Sequence, residues 1–96
     1  MNILDKIIEH KKEEVTRNKN FVSLHQLQQQ ENFNRQVISL KKVLLDETKT
    51  GIIAEFKRRS PSKGMINDKA GVLDVTTAYT KYGASGLSVL TDREFF

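Results

Sequence analysis

The amino-acid sequence predicts an α/β protein, in which a helical N-terminal segment leads into a parallel sheet. Three observations carry this. Residues 2–45 hold apolar residues at helical spacing. At Gly51 the pattern changes, and two short apolar runs follow, Ile52-Ile53-Ala54-Glu55-Phe56 and Gly86-Leu87-Ser88-Val89-Leu90. A further helical stripe lies between those runs. Strand, loop, helix and strand in that order make one βαβ unit, which requires parallel pairing.

Each element has a local reason. Residues 2–19 read as a helix, with Ile3, Leu4, Ile7, Ile8 and Val15 on one stripe and Asn2 as its N-cap. Glu13 and Arg17 sit at the favourable i, i+4 spacing. Ser23 and Gln26 match a capping box that opens a second, short helix. Phe33, Val37, Leu40 and Leu44 form a third helical stripe. The run after Gly51 is rich in β-formers, as a buried strand should be. Ser60-Pro61-Ser62-Lys63-Gly64 is punctuated as a loop. Val72, Val75, Tyr79 and Tyr82 share one face of the next helix, with Gly83 as its C-cap. The expected division is a helical extension over 1–50 and a βαβ unit over 51–96. Within that unit we expect a strand at 52–57, a loop at 58–70, a helix at 71–82, a strand at 86–90 and a loop at 91–96. Two parallel strands alone are a poor fold, since such sheets normally have both faces covered. The expectation is therefore a piece of a larger architecture.

Composition narrows the class. With 96 residues, one modest core is the ceiling. A charged fraction of 29% beside 38% hydrophobic residues argues against both a membrane protein and wholesale disorder. The N-terminus turns charged before any signal-peptide apolar stretch forms, which makes a cytoplasmic address the simplest expectation. Cysteine is absent, so disulfides, a thiolate nucleophile and a Cys-type zinc site are excluded. His10 and His25 have no acid or cysteine partner at ligand spacing and are expected on the surface. The net charge of +4 favours anionic partners without choosing among nucleic acid, lipid and phosphorylated metabolite.

The chemistry-bearing residues gather at the end of the first strand. Alternation sends Ile53, Glu55 and Lys57 to one face and the apolar set Ile52, Ala54 and Phe56 to the other. Glu55 and Lys57 then lie about 7 Å apart along the strand, at its C-terminal end. Ligands bind at that end in barrels and open α/β sheets. A lysine held there can donate a proton or stabilise developing negative charge. The spacing alone serves a structural ion pair at the rim equally well. The basic stretch Lys57-Arg58-Arg59-Ser60-Pro61-Ser62-Lys63-Gly64 also reads as a solvated loop, or as a nucleic-acid-binding or phosphorylated Ser-Pro tract. The nucleic-acid version is weakened because no stacking aromatics are interleaved with the basic residues.

Taken as a string, Ile53-Ala54-Glu55-Phe56-Lys57-Arg58-Arg59-Ser60-Pro61-Ser62-Lys63-Gly64 resembles the signature of indole-3-glycerol phosphate synthases. Other stretches agree in order: the opening Ile3-Leu4-Asp5-Lys6-Ile7-Ile8 with Lys11 to Val15, then Phe33, then Tyr79, Gly83-Ala84, Leu87-Ser88-Val89-Leu90-Thr91-Asp92 and Phe95-Phe96. Gly71-Val72 departs from the Asp-Pro that opens the following helix in many members. That bears on the helix boundary and leaves the chemistry untouched.

The resemblance implies the N-terminal part of a (β/α)8 TIM barrel: an extra helical extension, the first two strands and one intervening barrel helix. It implies closure of carboxyphenylamino-deoxyribulose phosphate to indole-3-glycerol phosphate, with loss of carbon dioxide and water. No metal or organic cofactor is implied. By the same resemblance Lys57 is the catalytic lysine of the first strand and Glu55 its orienting partner. Ser60 and Pro61 line the substrate site, and Phe96 packs on the anthranilate ring, with Phe95 the more structural of the two. The implied partner is a phosphorylated, anionic small molecule, with neither nucleic acid nor membrane involved. A second lysine, a glutamate and the phosphate-binding loops are expected from later strands. The 96-residue chain alone is then expected to be inactive. The competing expectations are a truncated barrel piece that self-associates through exposed strand edges, and a small basic nucleic-acid-binding module.

Overall fold

The computed structural model describes every residue, Met1–Phe96. Contacts divide the chain into two units, Met1–Val37 and Ile38–Phe96.

The first unit is built on α1 (Ile3–Phe21) and α2 (Leu24–Gln28). The Asn2 side chain accepts the Asp5 N–H at 2.8 Å, satisfying one of the donors that a helix start leaves orphaned. Asp5 in the first turn and Lys19 in the last suit the helix dipole. The expected Glu13–Arg17 pair does not close. The ion pair of this helix joins Lys11 to Glu14 at 2.9 Å, and Glu14 also lies 3.7 Å from His10 Nε2. The expectation that His10 lacks an acid partner is corrected accordingly: Glu14 stands at i+4, one helical turn away. The capping box forms in both directions. Ser23 Oγ accepts the Gln26 N–H at 3.1 Å, and Gln26 Oε1 accepts the Ser23 N–H at 2.8 Å.

The third helix is shorter than its stripe suggests. Phe33 lies in a turn, closed by its own N–H on the Gln30 carbonyl, and Val37 is exposed. Helix resumes only at α3 (Leu40–Leu45), in the second unit, where Ser39 Oγ accepts the Lys42 N–H at 3.2 Å. Ser39 is a strong N-cap, and the β-branched Val37 and Ile38 before it are weaker helix formers. A run of offsets near 3.6 here spans a turn and a helix, not one helix.

The second unit continues with β1 (Ile53–Phe56), a two-residue pair β2 (Arg59–Ser60) and β3 (Gly64–Met65), then α4 (Val72–Lys81) and β4 (Gly86–Val89). Strands β1 and β4 pair in parallel, with Ile53 opposite Gly86, Ala54 opposite Leu87, Glu55 opposite Ser88 and Phe56 opposite Val89. Leu90 N–H extends the ladder to the Phe56 carbonyl at 3.0 Å. The apolar face of β1 meets α4, where Ile52 and Ala54 line a depression with Ala78, Tyr79 and Tyr82. Phe56 is the chain's one buried hydrophobic residue, at 5% exposure. Leu40 of α3 reaches the ladder at Gly86, where any β-carbon would stand 2.9 Å from its methyl. A larger residue there would require the Leu40 side chain to shift.

The stretch expected as a plain loop at 58–70 contains an antiparallel hairpin, with Arg59 opposite Met65 and Ser60 opposite Gly64. Two-residue strands lie below the length at which alternation can be read. Helix α4 ends in a double hydrogen bond: Gly83 N–H donates to the Thr80 carbonyl and Ala84 N–H to the Tyr79 carbonyl. Tyr82 is the cap and Gly83, with φ of +93°, is the left-handed residue after it. This is a Schellman motif. The Gly83 carbonyl then accepts from Thr50 Oγ1 at 2.6 Å, and Ser85 Oγ accepts the Gly51 N–H at 2.8 Å. The starts of both strands are thereby stapled together.

Gly83→Ala should cost about 1–2 kcal/mol, because the left-handed conformation strains a β-carbon. Urea denaturation of the protein checks this. A variant as stable as the parent would show that the helix end has another way to close.

Candidate functional site

The polar cluster stands where β1 ends. Glu55 is exposed on β1, and its Oε2 accepts from Ser88 Oγ at 3.2 Å, directly across the parallel register. From α4, the Tyr79 hydroxyl donates to the Glu55 carbonyl at 3.3 Å. Side chain and backbone of Glu55 are thus each tied, one to the neighbouring strand and one to the helix.

Lys57 follows immediately after the strand and is exposed. It makes no direct ion pair with Glu55 within 4.0 Å. The reason is distance. Alternate residues on a strand lie about 7 Å apart, whereas Ser88 sits opposite Glu55 on the adjacent strand.

Beyond Lys57 the chain turns into the hairpin. The Arg58 guanidinium lies 5.2 Å from the Phe56 ring centroid, within cation–π range. The Arg58 carbonyl accepts N–H groups from Ile66 and Asn67 at 2.6 and 3.1 Å, closing the hairpin's base. Ser60 Oγ accepts the Lys63 N–H at 3.2 Å and lies 3.5 Å from Ser62 Oγ. Pro61 is exposed at the tip. The Lys63 bond uses a lone pair of the Ser60 hydroxyl, and in the contact with Ser62 either hydroxyl can be the donor.

Phe96 lies in the loop after β4 and is half-buried, as is Phe95. Burial does not separate the two. Both are positioned by Asp92, whose Oδ2 accepts the N–H groups of Glu94, Phe95 and Phe96. Arg59 joins the two loops: its Nη1 donates to the Arg93 carbonyl at 3.2 Å.

The sequence reading assigned no role to Asp92, Ser88 or Arg59. An Asp that hydrogen-bonds the backbone two to four residues on is a recognisable turn device. Ser88 and Arg59 carry no such local signal, since their partners lie 33 and 34 residues away. Glu55 belongs to no cluster of three metal-ligating side chains. The cluster can attract an anion through Lys57, Arg58 and Lys63, and can offer it the Lys57 ammonium and the Ser60 hydroxyl.

A parallel βαβ unit that presents an acid, a lysine and a basic Ser-Pro hairpin at its C-terminal strand ends has the layout of a ligand-binding α/β protein. The particular family follows from comparison with known proteins. This chain belongs to the indole-3-glycerol phosphate synthase family, whose model matches residues 4–96. Among curated relatives of that name, one from Bacteroides thetaiotaomicron is 45% identical over 95 residues, covering 99% of this chain and 36% of the relative. One from Prochlorococcus marinus is 42% identical over 96 residues, covering 99% of this chain and 32% of the relative. One from Carboxydothermus hydrogenoformans is 35% identical over 99 residues, covering 97% and 38%. The chain spans about a third of the length of these relatives.

Arg58→Ala should lower stability by about 0.5–1 kcal/mol through loss of the contact with Phe56, and Arg58→Lys should retain part of it. Denaturant titration of the full-length protein reads the difference. Equal stability of all three would mean the guanidinium adds nothing over the ring.

Proposed function

We propose that this chain forms the first two strands and the helical extension of a (β/α)8-barrel indole-3-glycerol phosphate synthase. The observation that carries the reading is the placement of Lys57 and the Ser60-Pro61 hairpin at the C-terminal end of β1, in a chain that matches the family from residue 4 to residue 96. That end of a barrel strand is where catalytic side chains converge.

The substrate of the proposed reaction is carboxyphenylamino-deoxyribulose phosphate. A carbon–carbon bond forms between its aromatic ring and its ketone carbon, the ring carboxylate leaves as carbon dioxide, and the former ketone oxygen leaves as water. Negative charge builds on that oxygen during ring closure. The Lys57 ammonium stabilises the charge and supplies a proton to the departing oxygen. Glu55, held by Ser88, is the carboxylate that orients Lys57 through its negative charge at the same strand end. Ser60 donates to a substrate anion, Pro61 shapes the wall, and Phe96 packs on the anthranilate ring. The phosphate and carboxylate of such a substrate suit the excess of basic side chains. Two of those side chains already have internal partners, Arg58 on the Phe56 ring and Arg59 on the Arg93 carbonyl. That supports a small anionic ligand over a nucleic-acid strand tracking the whole basic run. A biosynthetic enzyme of this kind is placed in the cytoplasm.

One observation favours a different behaviour for the 96-residue polypeptide in isolation. β1 and β4 pair only with each other, so each leaves one edge unpaired, and Phe56 alone is buried among the large hydrophobic residues. Unpaired edges template association.

In the full-length protein, Lys57→Ala should reduce kcat by about 10²–10⁴-fold with an unchanged circular dichroism spectrum. Near-parental turnover would remove Lys57 from the chemistry. The isolated 96-residue chain should form no indole-3-glycerol phosphate and should sediment as oligomers. A folded monomer would contradict the self-association, and measurable product would contradict the need for later strands.

A further inference from the structure

We propose that Ser88 is a positioning residue for the reaction: its hydroxyl fixes the direction of the Glu55 carboxylate, through which Glu55 orients Lys57. The proposal rests on the functional reading above and adds a residue of β4 to the site at the end of β1.

The parallel register makes Glu55 and Ser88 partners. Residues paired across adjacent strands project from the same face of the sheet. On that face Ser88 lies between Gly86 and Leu90, one residue without a side chain and one that is apolar. Of the three, Ser88 alone brings a hydrogen-bonding side chain. A hydroxyl has a single proton to give, and here it goes to Glu55 Oε2 at 3.2 Å. Ser88 is half-buried whereas Glu55 is exposed. The short side chain is therefore the fixed partner and the long one is held by it.

Side-chain length explains why holding matters. A glutamate turns about several bonds, and an exposed one left free spreads its carboxylate over many rotamers. Serine turns about a single bond and gives up little freedom when it donates. The Tyr79 hydroxyl already ties the Glu55 carbonyl at 3.3 Å, and the ladder fixes the strand on either side. Backbone position is thus secured without Ser88. What Ser88 adds is the aim of the carboxylate: with Oε2 engaged, Oε1 is the oxygen left to turn toward a cation at the strand end.

The test is steady-state kinetics on the full-length protein with Ser88→Ala, Ser88→Thr and Ser88→Val, joined to crystal structures of the parent and of Ser88→Ala. In Ser88→Ala kcat should fall about tenfold, the size of one hydrogen bond to a charged group. KM should change by less than about twofold, because Glu55 acts through Lys57 in the chemical step. Ser88→Thr keeps the hydroxyl on a side chain that suits a strand, and should retain near-parental kcat. Ser88→Val matches threonine in shape without the hydroxyl and should be as slow as alanine. This pair decides the matter if alanine loosens the strand, and a valine variant as fast as the threonine variant overturns the proposal. In crystals of Ser88→Ala the Glu55 carboxylate should leave its parental position while its Cα stays in place. A carboxylate that does not move overturns the positioning whatever the kinetics. A carboxylate that moves with kcat unchanged leaves the hold of Ser88 on Glu55 standing and sinks the functional reading of Glu55.

Discussion

The parallel pairing of β1 with β4 is the constraint on which the second unit depends. Its register sets Glu55 against Ser88, brings Leu90 to the Phe56 carbonyl and delivers both following loops to the same end of the sheet. A parallel pair cannot be joined by a tight turn and needs a crossover. α4 is that crossover. Its Schellman end, the Thr50–Gly83 bond and the Gly51–Ser85 bond act together to set where the second strand starts. A one-residue slip would reverse every side chain on β1. Phe56 would leave the face that α4 covers, and Glu55 would be driven under the helix.

Charge at the strand ends is arranged so that its members do different work. Glu55 is restrained through Ser88 and Tyr79, Arg58 lies against Phe56, and Arg59 spans to the Arg93 carbonyl. Lys57 is left outside these partnerships, with its ammonium exposed. Under the proposed function this asymmetry would leave the supports held and the Lys57 amine free to turn toward a ligand. A tight Glu55–Lys57 ion pair would have bound the amine before substrate arrived.

The apolar surface tells a complementary story. Ile3, Leu4, Ile8 and Val15 on α1 remain exposed, as do Ile53 and Leu87 on the sheet. Within each unit a set of large apolar side chains is left uncovered. Amphipathic elements are stable only when the apolar side is covered.

Local signals settled the elements whose bonds are local. Asn2, the Ser23–Gln26 box, the β-formers after Gly51 and the glycine after α4 were all readable, because each acts within about four residues of itself. The strand-end position of Glu55 followed from alternation, and the family from the two long motifs. Where the sequence misled, a periodic pattern had been joined across a stronger local stop: the stripe from Phe33 to Leu44 crosses a turn and the Ser39 cap. The hairpin at Arg59–Met65, the Ser88 bond that takes Glu55 from Lys57, and the Arg59 bridge were decided by tertiary structure alone. Their partners are brought together by strand register and loop closure, and no spacing along the chain encodes a distance between residues more than thirty positions apart.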